Sequence, residues 1–420
     1  MTRIASSLVV CAWLSSSLVL CQTGPITIRA GLLIDGTGEA TPNVRLIVED
    51  GMISRMDRLR GNVTYDLSDL TVMPGLIDTH VHLTSHFDHD GKIHRPSSDD
   101  SDAEIMLYAA GNAQRTLLAG FTTVQSLGSR LDAYLRDHIA QGDIWGPRVL
   151  TSLEPVTVAT GDPAAIRAFV RQLKTDGADV VKVFASGSIR DGGRRTMSDA
   201  QIEAVCQEAA DQGLRTAVHA YGALVITIAR AGCTSVEHGT NYGDEAIEVL
   251  AEHGTFVDPH LGLLYQNYID HRDAFLGIGN YTTTGFERMV EARRVGLQTF
   301  RRTRMNSDVK IIFGTDAVAG AHGRNADELV ARVSDAGQRP MDAIVSATSR
   351  AAEALGLDDQ IGTAAPGFVA DLVAVEGNPL ENIEAIRNIR WVMKGGEVYR
   401  NEVEPVTPGR RSRRRGRQPE

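Results

Sequence analysis

The stretch Pro74-Gly75-Leu76-Ile77-Asp78-Thr79-His80-Val81-His82-Leu83 decides the reading of this chain. A short apolar run closes in His-x-His. Alternate residues of a strand share one face, so His80 and His82 point the same way, roughly 7 Å apart along the strand. Two imidazoles side by side at a strand end can hold one metal ion, because neutral imidazole suits zinc, nickel and iron. Alone the pattern is weak, since two ordinary polar strand residues would look the same. Its weight comes from what stands at later strand ends.

Outward from this stretch, residues 74–362 alternate short apolar runs with helical patterns. Runs at 76–81, 122–126, 148–152, 180–184, 216–219, 235–238, 255–257 and 310–313 predict eight strands. Ser198-Asp199-Ala200-Gln201 is a capping-box start for a helix over 198–212, and 325–336 predicts another. Eight strand–helix units over roughly 290 residues have the size of a (β/α)8 barrel, whose reactive residues sit at the C-terminal strand ends. The two ends of the chain read differently. Strands are expected at 26–33, 45–49, 53–56 and 70–73, then at 370–375 and 389–393, with Gly395-Gly396 turning into 397–399. The expected fold is therefore α/β. A TIM-like (β/α)8 barrel over 74–362 would carry a small β-sandwich domain built from both termini, 23–73 and 363–402.

Composition sets the bounds. The chain has 420 residues, a globular apolar fraction of 42% and a formal charge of −10. That acidic balance argues against a nucleic-acid partner. The Arg-rich stretch within 403–420 has almost no apolar residues and reads as a solvated, disordered tail. The leader 1–22, with Arg3 and an apolar stretch at 8–14, reads as a secretory signal segment. It is too short and too Ser-broken for a stable membrane span. Export to a periplasmic or secreted location is expected, with a cytoplasmic protein the alternative if the start is mis-assigned. Leu18-Val19-Leu20-Cys21 has the Cys of a lipoprotein box but a bulky residue before it. Of the four cysteines, Cys11 and Cys21 lie in the leader. Cys206 and Cys233 fall in helical patterns and read as buried small hydrophobes rather than a disulfide.

Further polar residues punctuate the apolar strands. Lys182 lies in Asp179-Val180-Val181-Lys182-Val183-Phe184, in a chain with few lysines. His219 ends Thr216-Ala217-Val218-His219, and His238 ends Ser235-Val236-Glu237-His238. Asp316 follows Ile311-Ile312-Phe313-Gly314-Thr315. Closing the barrel would bring these to one mouth with His80 and His82. A lysine ammonium has no lone pair for a metal and is costly in an apolar strand.

These motifs, with His219-Ala220-Tyr221-Gly222, His322-Gly323-Arg324-Asn325-Ala326 and the return at Pro366-Gly367 and Ala370-Asp371-Leu372-Val373, resemble the amidohydrolase superfamily over about residues 26–402. Within it they resemble the binuclear, Lys-bridged, prolidase-like branch of Xaa-Pro dipeptidases, carboxypeptidases and ochratoxin-hydrolysing amidases. One departure stands in Ala185-Ser186-Gly187-Ser188, where such relatives often carry a Gly pair.

The resemblance implies two divalent metal ions, zinc first among them. His80, His82 and Asp316 would hold one, His219 and His238 the other. Lys182, carboxylated by carbon dioxide, would bridge them. It implies hydrolysis of a C–N amide bond in dipeptides or N-acyl amino acids by a metal-bridging hydroxide, Asp316 moving the proton. A cyclic-amide or lactone hydrolase on the same site is the alternative. A scaffold protein would usually have lost ligands, and here all six are present.

Around this centre the expectations are looser. Tyr221 would polarise the carbonyl or hold a substrate carboxylate, and Arg190 would pair with a carboxylate. His260 and His322 would line the substrate pocket, His322 with a part in catalysis. His86, His89 and His94, with Asp88 and Asp90, read as a solvated loop or an adventitious metal binder. His138, His253 and His271 read as surface residues. Specificity would sit in loops such as 265–284. The partner is a small molecule or short peptide, and a homo-oligomer is expected.

Overall fold

The structure is a computed structural model and describes residues 24–95 and 98–403. The leader, with Cys11 and Cys21, and the tail beyond residue 403 lie outside the described residues.

Seven strands from the two ends of the chain form one mixed sheet. They are β1 (Ile26–Ile34), β2 (Ala40–Glu49), β3 (Met52–Asp57), β4 (Tyr65–Pro74), β12 (Leu372–Glu376), β13 (Ile389–Lys394) and β14 (Glu397–Asn401), in the order β14-β13-β12-β4-β1-β2-β3. The small β domain expected from both termini is thus built on one seven-stranded mixed sheet. Its inner face joins Ile28, Leu46, Val72, Leu372 and Trp391 in one buried cluster. The two tight turns meet: Gly51 O accepts from Ala370 N at 2.8 Å, and Ala370 O accepts from Gly396 N at 3.1 Å. A Cβ on Gly396 would lie 2.7 Å from Gly51 Cα, and Gly396 has φ +81°, so two glycines are needed where the turns touch.

The middle of the chain supplies two parallel sheets. One holds β5 (Leu76–Val81), β6 (Phe121–Ser126) and β7 (Arg148–Thr151). The other holds β8 (Val180–Phe184), β9 (Arg215–Ala220), β10 (Ser235–His238) and β11 (Phe256–Asp258). These strands are buried on both faces, as strands covered by crossover helices must be. Backbone bonds join the sheets on both sides. Asp179 N donates to Thr151 O (2.8 Å) and Val156 N to Lys182 O (2.8 Å) on one side. On the other, residues 310–317 bridge β11 and β5 through Ile312 N to Val257 O (2.9 Å), Thr79 N to Phe313 O (2.9 Å) and His82 N to Ala317 O (2.9 Å).

The eighth strand is where the structure departs from the even ladder that the sequence predicts. Gly314 lies against Asp258, where a Cβ would stand 1.9 Å from the carboxylate, and Asp316 turns out of line with φ +52°. The segment therefore pairs by isolated bridges and delivers Asp316 inward.

Two local expectations are corrected. Cys206 and Cys233 form a disulfide, with Cα atoms 5.0 Å apart. Cys206 lies on the buried face of helix Asp199–Asp211, while Cys233 is not helical but sits in the turn between helix Leu224–Arg230 and β10. The strand–helix repeat folds these 27 residues back on themselves, which residue-by-residue patterning does not show. The region 265–284 is not a loop but carries helices Leu263–Asp270 and Arg272–Phe275 and the start of Thr283–Thr303. Its Tyr265, Tyr268, Phe275 and Phe286 pack together in an aromatic cluster. Ser198 and Gln201 form the expected capping box. Among the described residues no helix is long and apolar enough to cross a membrane.

Candidate metal centre

Six side chains converge where the parallel strands end. His80 is 1% exposed at the end of β5. Its Nδ1 is 2.7 Å from Glu237 Oε2, so its Nε2 faces the centre, 3.0 Å from Lys182 Nζ and 3.5 Å from Asp316 Oδ1. His82 Nε2 lies 2.9 Å from the same Asp316 oxygen. The rings of His219, ending β9, and His238, ending β10, stand edge to face at 4.6 Å, and the His238 ring is 5.8 Å from that of His80. Residues 80, 82, 182, 219, 238 and 316, separated by up to 236 positions in sequence, thus surround one volume.

Electrostatics favours a cation here. Burial holds His80 and His238 well below the usual imidazole range and His219 down to about 3, so all three are neutral with lone pairs available. Burial also lowers the Lys182 ammonium, against the pull of Glu237 and Asp316. Burial would raise Asp316, but the hydrogen bond from His82 and the surrounding imidazoles outweigh it and keep it a carboxylate. His238 and Asp316 hold positive φ, +66° and +52°, a conformation that costs a non-glycine residue about a kcal/mol or more and clusters at functional sites. Neutral nitrogen donors beside a carboxylate fit a divalent metal ion.

The other predicted residues divide. Tyr221 and Arg190 line a cavity of about 370 Å³ over the centre, with Tyr265, Tyr268 and Tyr281 on its wall. The Tyr221 ring stacks on His238 at 5.6 Å, and burial keeps its hydroxyl protonated. Arg190, in the turn Ile189–Asp191 after β8, donates Nε to Asn280 Oδ1 (2.8 Å) and lies 4.1 Å from the Tyr281 ring.

His260 and His322 do not line this cavity. His260 lies behind the centre, its Nδ1 2.9 Å from His238 Nδ1 and its Nε2 3.1 Å from Asp258 Oδ2. It therefore occupies Nδ1 of His238. Burial lowers His260, yet the Asp258 charge overrides this and carries it up to about 9. His322 is 7% exposed and held neutral by burial, near 3. Both lie beyond strands in the sequence, but backbone direction past a strand end is a tertiary property.

Sequence reasoning gave no role to Glu237, Asp258, Asp78 or Arg332, all fully buried. Glu237, pushed up to about 7 by burial, also takes a hydrogen bond from Ser235. Asp78 bonds Thr315 (2.6 Å) and Asn325 (2.7 Å), pinning the eighth segment. Arg332 bonds Glu328 (3.0 Å) and reaches Asp258 (3.3 Å). The signal that singled out Lys182, a charge inside an apolar strand, also marks Glu237 and Asp258.

A closed α/β frame with neutral imidazoles and a carboxylate at its strand ends defines a metal-binding hydrolase. The Amidohydrolase family profile matches residues 71–399, so the chain belongs to that family and is an enzyme that hydrolyses amide bonds. It is 27% identical to ochratoxinase of Aspergillus niger, with 89% of this chain and 86% of that protein covered. The crystal structure of a Xaa-Pro dipeptidase with bound methionine in the active site superposes with a TM-score of 0.81 at 30% identity, over 90% of this chain and 100% of that one. The crystal structure of A. niger ochratoxinase gives 0.75 at 23% identity, over 90% and 96%.

Proposed function

We propose that this chain is a binuclear hydrolase that cleaves the C–N amide bond of dipeptides or N-acyl amino acids. The observation that carries it is Lys182: a buried lysine on a strand, its Nζ 3.0 Å from the free nitrogen of His80. Because burial disfavours its ammonium, the amine is the nucleophilic form, which adds to carbon dioxide with loss of one proton to give a carbamate. Such a carbamate would offer two oxygens to divalent ions. His80, His82 and Asp316 would hold one ion, His219 and His238 the second, with zinc the best match to the donors. Bound there, divalent ions supply Lewis acidity toward water and the scissile carbonyl.

The chain's own groups do the rest. Asp316 stays ionised and would take a proton from the attacking water and return it to the leaving nitrogen. Tyr221 keeps its proton and can donate to the carbonyl oxygen as negative charge develops. Arg190 is a cation on the cavity wall and would anchor a substrate carboxylate, while the tyrosines beside it favour an aromatic or large apolar side chain. Ochratoxinase and the Xaa-Pro dipeptidase both support this class of substrate. Export is part of the same reading, and the Cys206–Cys233 disulfide supports an oxidising compartment.

The test is a screen of zinc-supplemented protein against dipeptides, N-acyl amino acids, hydantoin-like rings and lactones, with a chelated control and products read by mass spectrometry. Release of free C-terminal amino acids, lost on chelation, is expected. Ring opening with no dipeptide cleaved would replace this reading with a cyclic-amide or lactone hydrolase.

A further inference from the structure

We propose that His86, His94 and Asp100 form an accessory site for a divalent cation of zinc type, beside the cavity and separate from the centre at the strand ends. His86 Nδ1 is committed as a donor to Thr84 O at 2.8 Å. In a neutral ring the other nitrogen, Nε2, is then the lone-pair atom. Yet Nε2 lies 3.4 Å from Asp100 Oδ2, which also contacts His94 Nδ1 at 2.7 Å. Two lone pairs facing one another repel. The contact becomes favourable only when a cation, a metal or a proton, stands at Nε2.

The geometry favours the metal. One donor atom from each of the three residues lies within 4.8 Å of the others. An ion with bonds of about 2.0–2.2 Å sets tetrahedral ligands about 3.3 Å apart, so small side-chain shifts close the site. His86 stacks on both His94 (4.6 Å) and Tyr108 (4.2 Å) of helix Asp102–Leu118, and binding would turn the His94 ring out of that stack while Tyr108 keeps His86 in place. His86 and Asp100 are 3% and 8% exposed, His94 18%, so an ion has a route in from solvent. His94 N also bonds His86 O at 3.0 Å and fixes the backbone between two of the donors. Occupancy would tie residues 86–94 to that helix at the rim of the cavity, which His94 lines.

The experiment counts ions. Full-length wild type, His94→Gln and Asp100→Asn are loaded with zinc, freed of excess, and measured by elemental mass spectrometry. Each variant is expected to hold one ion fewer than wild type, and its cobalt form to lose one set of visible bands. Equal counts in wild type and Asp100→Asn overturn the site and leave a proton at His86. Asp100→Asn keeps the side-chain shape and decides the matter if His94→Gln unfolds. The wild-type total reports separately on the main centre, so failure of the two-ion reading shifts all counts alike and leaves the difference intact.

Discussion

Glu237 reaches His80 Nδ1 at 2.7 Å beneath the centre and so sets which nitrogen of His80 points at a metal. Carboxylates in this position typically contribute 10–100-fold in metal affinity. Glu237→Gln is expected to weaken zinc binding by about that factor, measured by competition with a chromophoric chelator, because an amide can donate to the ring where a carboxylate cannot. Unchanged affinity would show that His80 is oriented by packing alone. Asp132 poses a different problem. It is 1% exposed, one oxygen lacks a partner among the described residues, and burial raises it from 3.8 to about 7. The folded state therefore binds its proton more tightly than the unfolded state. Its contribution is fully present below pH 4 and is lost as pH rises through about 7. In metal-free protein, Asp132→Asn is expected to gain on the order of 3 kcal/mol at pH 8 and almost nothing at pH 4. Urea unfolding at the two pH values checks this, and a gain independent of pH would contradict it.

At the scale of elements, the Cys206–Cys233 bond ties helix Asp199–Asp211 to the turn that enters β10, the strand carrying Glu237 and His238. The sequence separation is 27 residues. Removing a closed loop of that size from the unfolded ensemble's constraints costs about 3 kcal/mol. A Cys206→Ala, Cys233→Ala double variant is expected to lose about that stability in guanidinium unfolding while keeping its metal content, since neither cysteine lines the cavity at the centre. Loss of metal in a still-folded variant would mean that the disulfide also sets the position of β10. The eighth segment shows the opposite economy. Its ladder is broken at Gly314, and the hydrogen bonds of Thr315 and Asn325 to Asp78 fix it instead, which places Asp316 beside His82.

Over the whole molecule, the mixed sheet and the parallel strands share one core. Val373, Val375 and Ile389 from the late strands pack in the same buried cluster as Leu117, Phe121 and Phe313. β12 pairs with β4 on one side and β13 on the other, so it lies inside the sheet rather than at an edge. A chain ending at residue 362 is therefore expected to be insoluble or to melt without cooperativity, because it bares one edge of β4 and the apolar residues that Leu372, Val373 and Trp391 cover. A sharp calorimetric transition for that fragment would show that the middle of the chain folds alone.

The alternation of apolar strands and amphipathic helices, and the polar residues at strand ends, are local properties, and the sequence by itself determined them. They suffice to place His80, His82, Lys182, His219, His238 and Asp316 at one end of one fold, since a strand's period settles which residues it presents together. What lies past the strand ends was decided by tertiary structure. His260 and His322 left the cavity, 265–284 became helical, and Cys206 met Cys233, because each depends on where distant segments pack. Glu237 and Asp258 stand between these cases. Their strands are legible, but the partners that make their buried charge tolerable, His80 and His260, come from other parts of the chain and are joined to them only by closure of the fold.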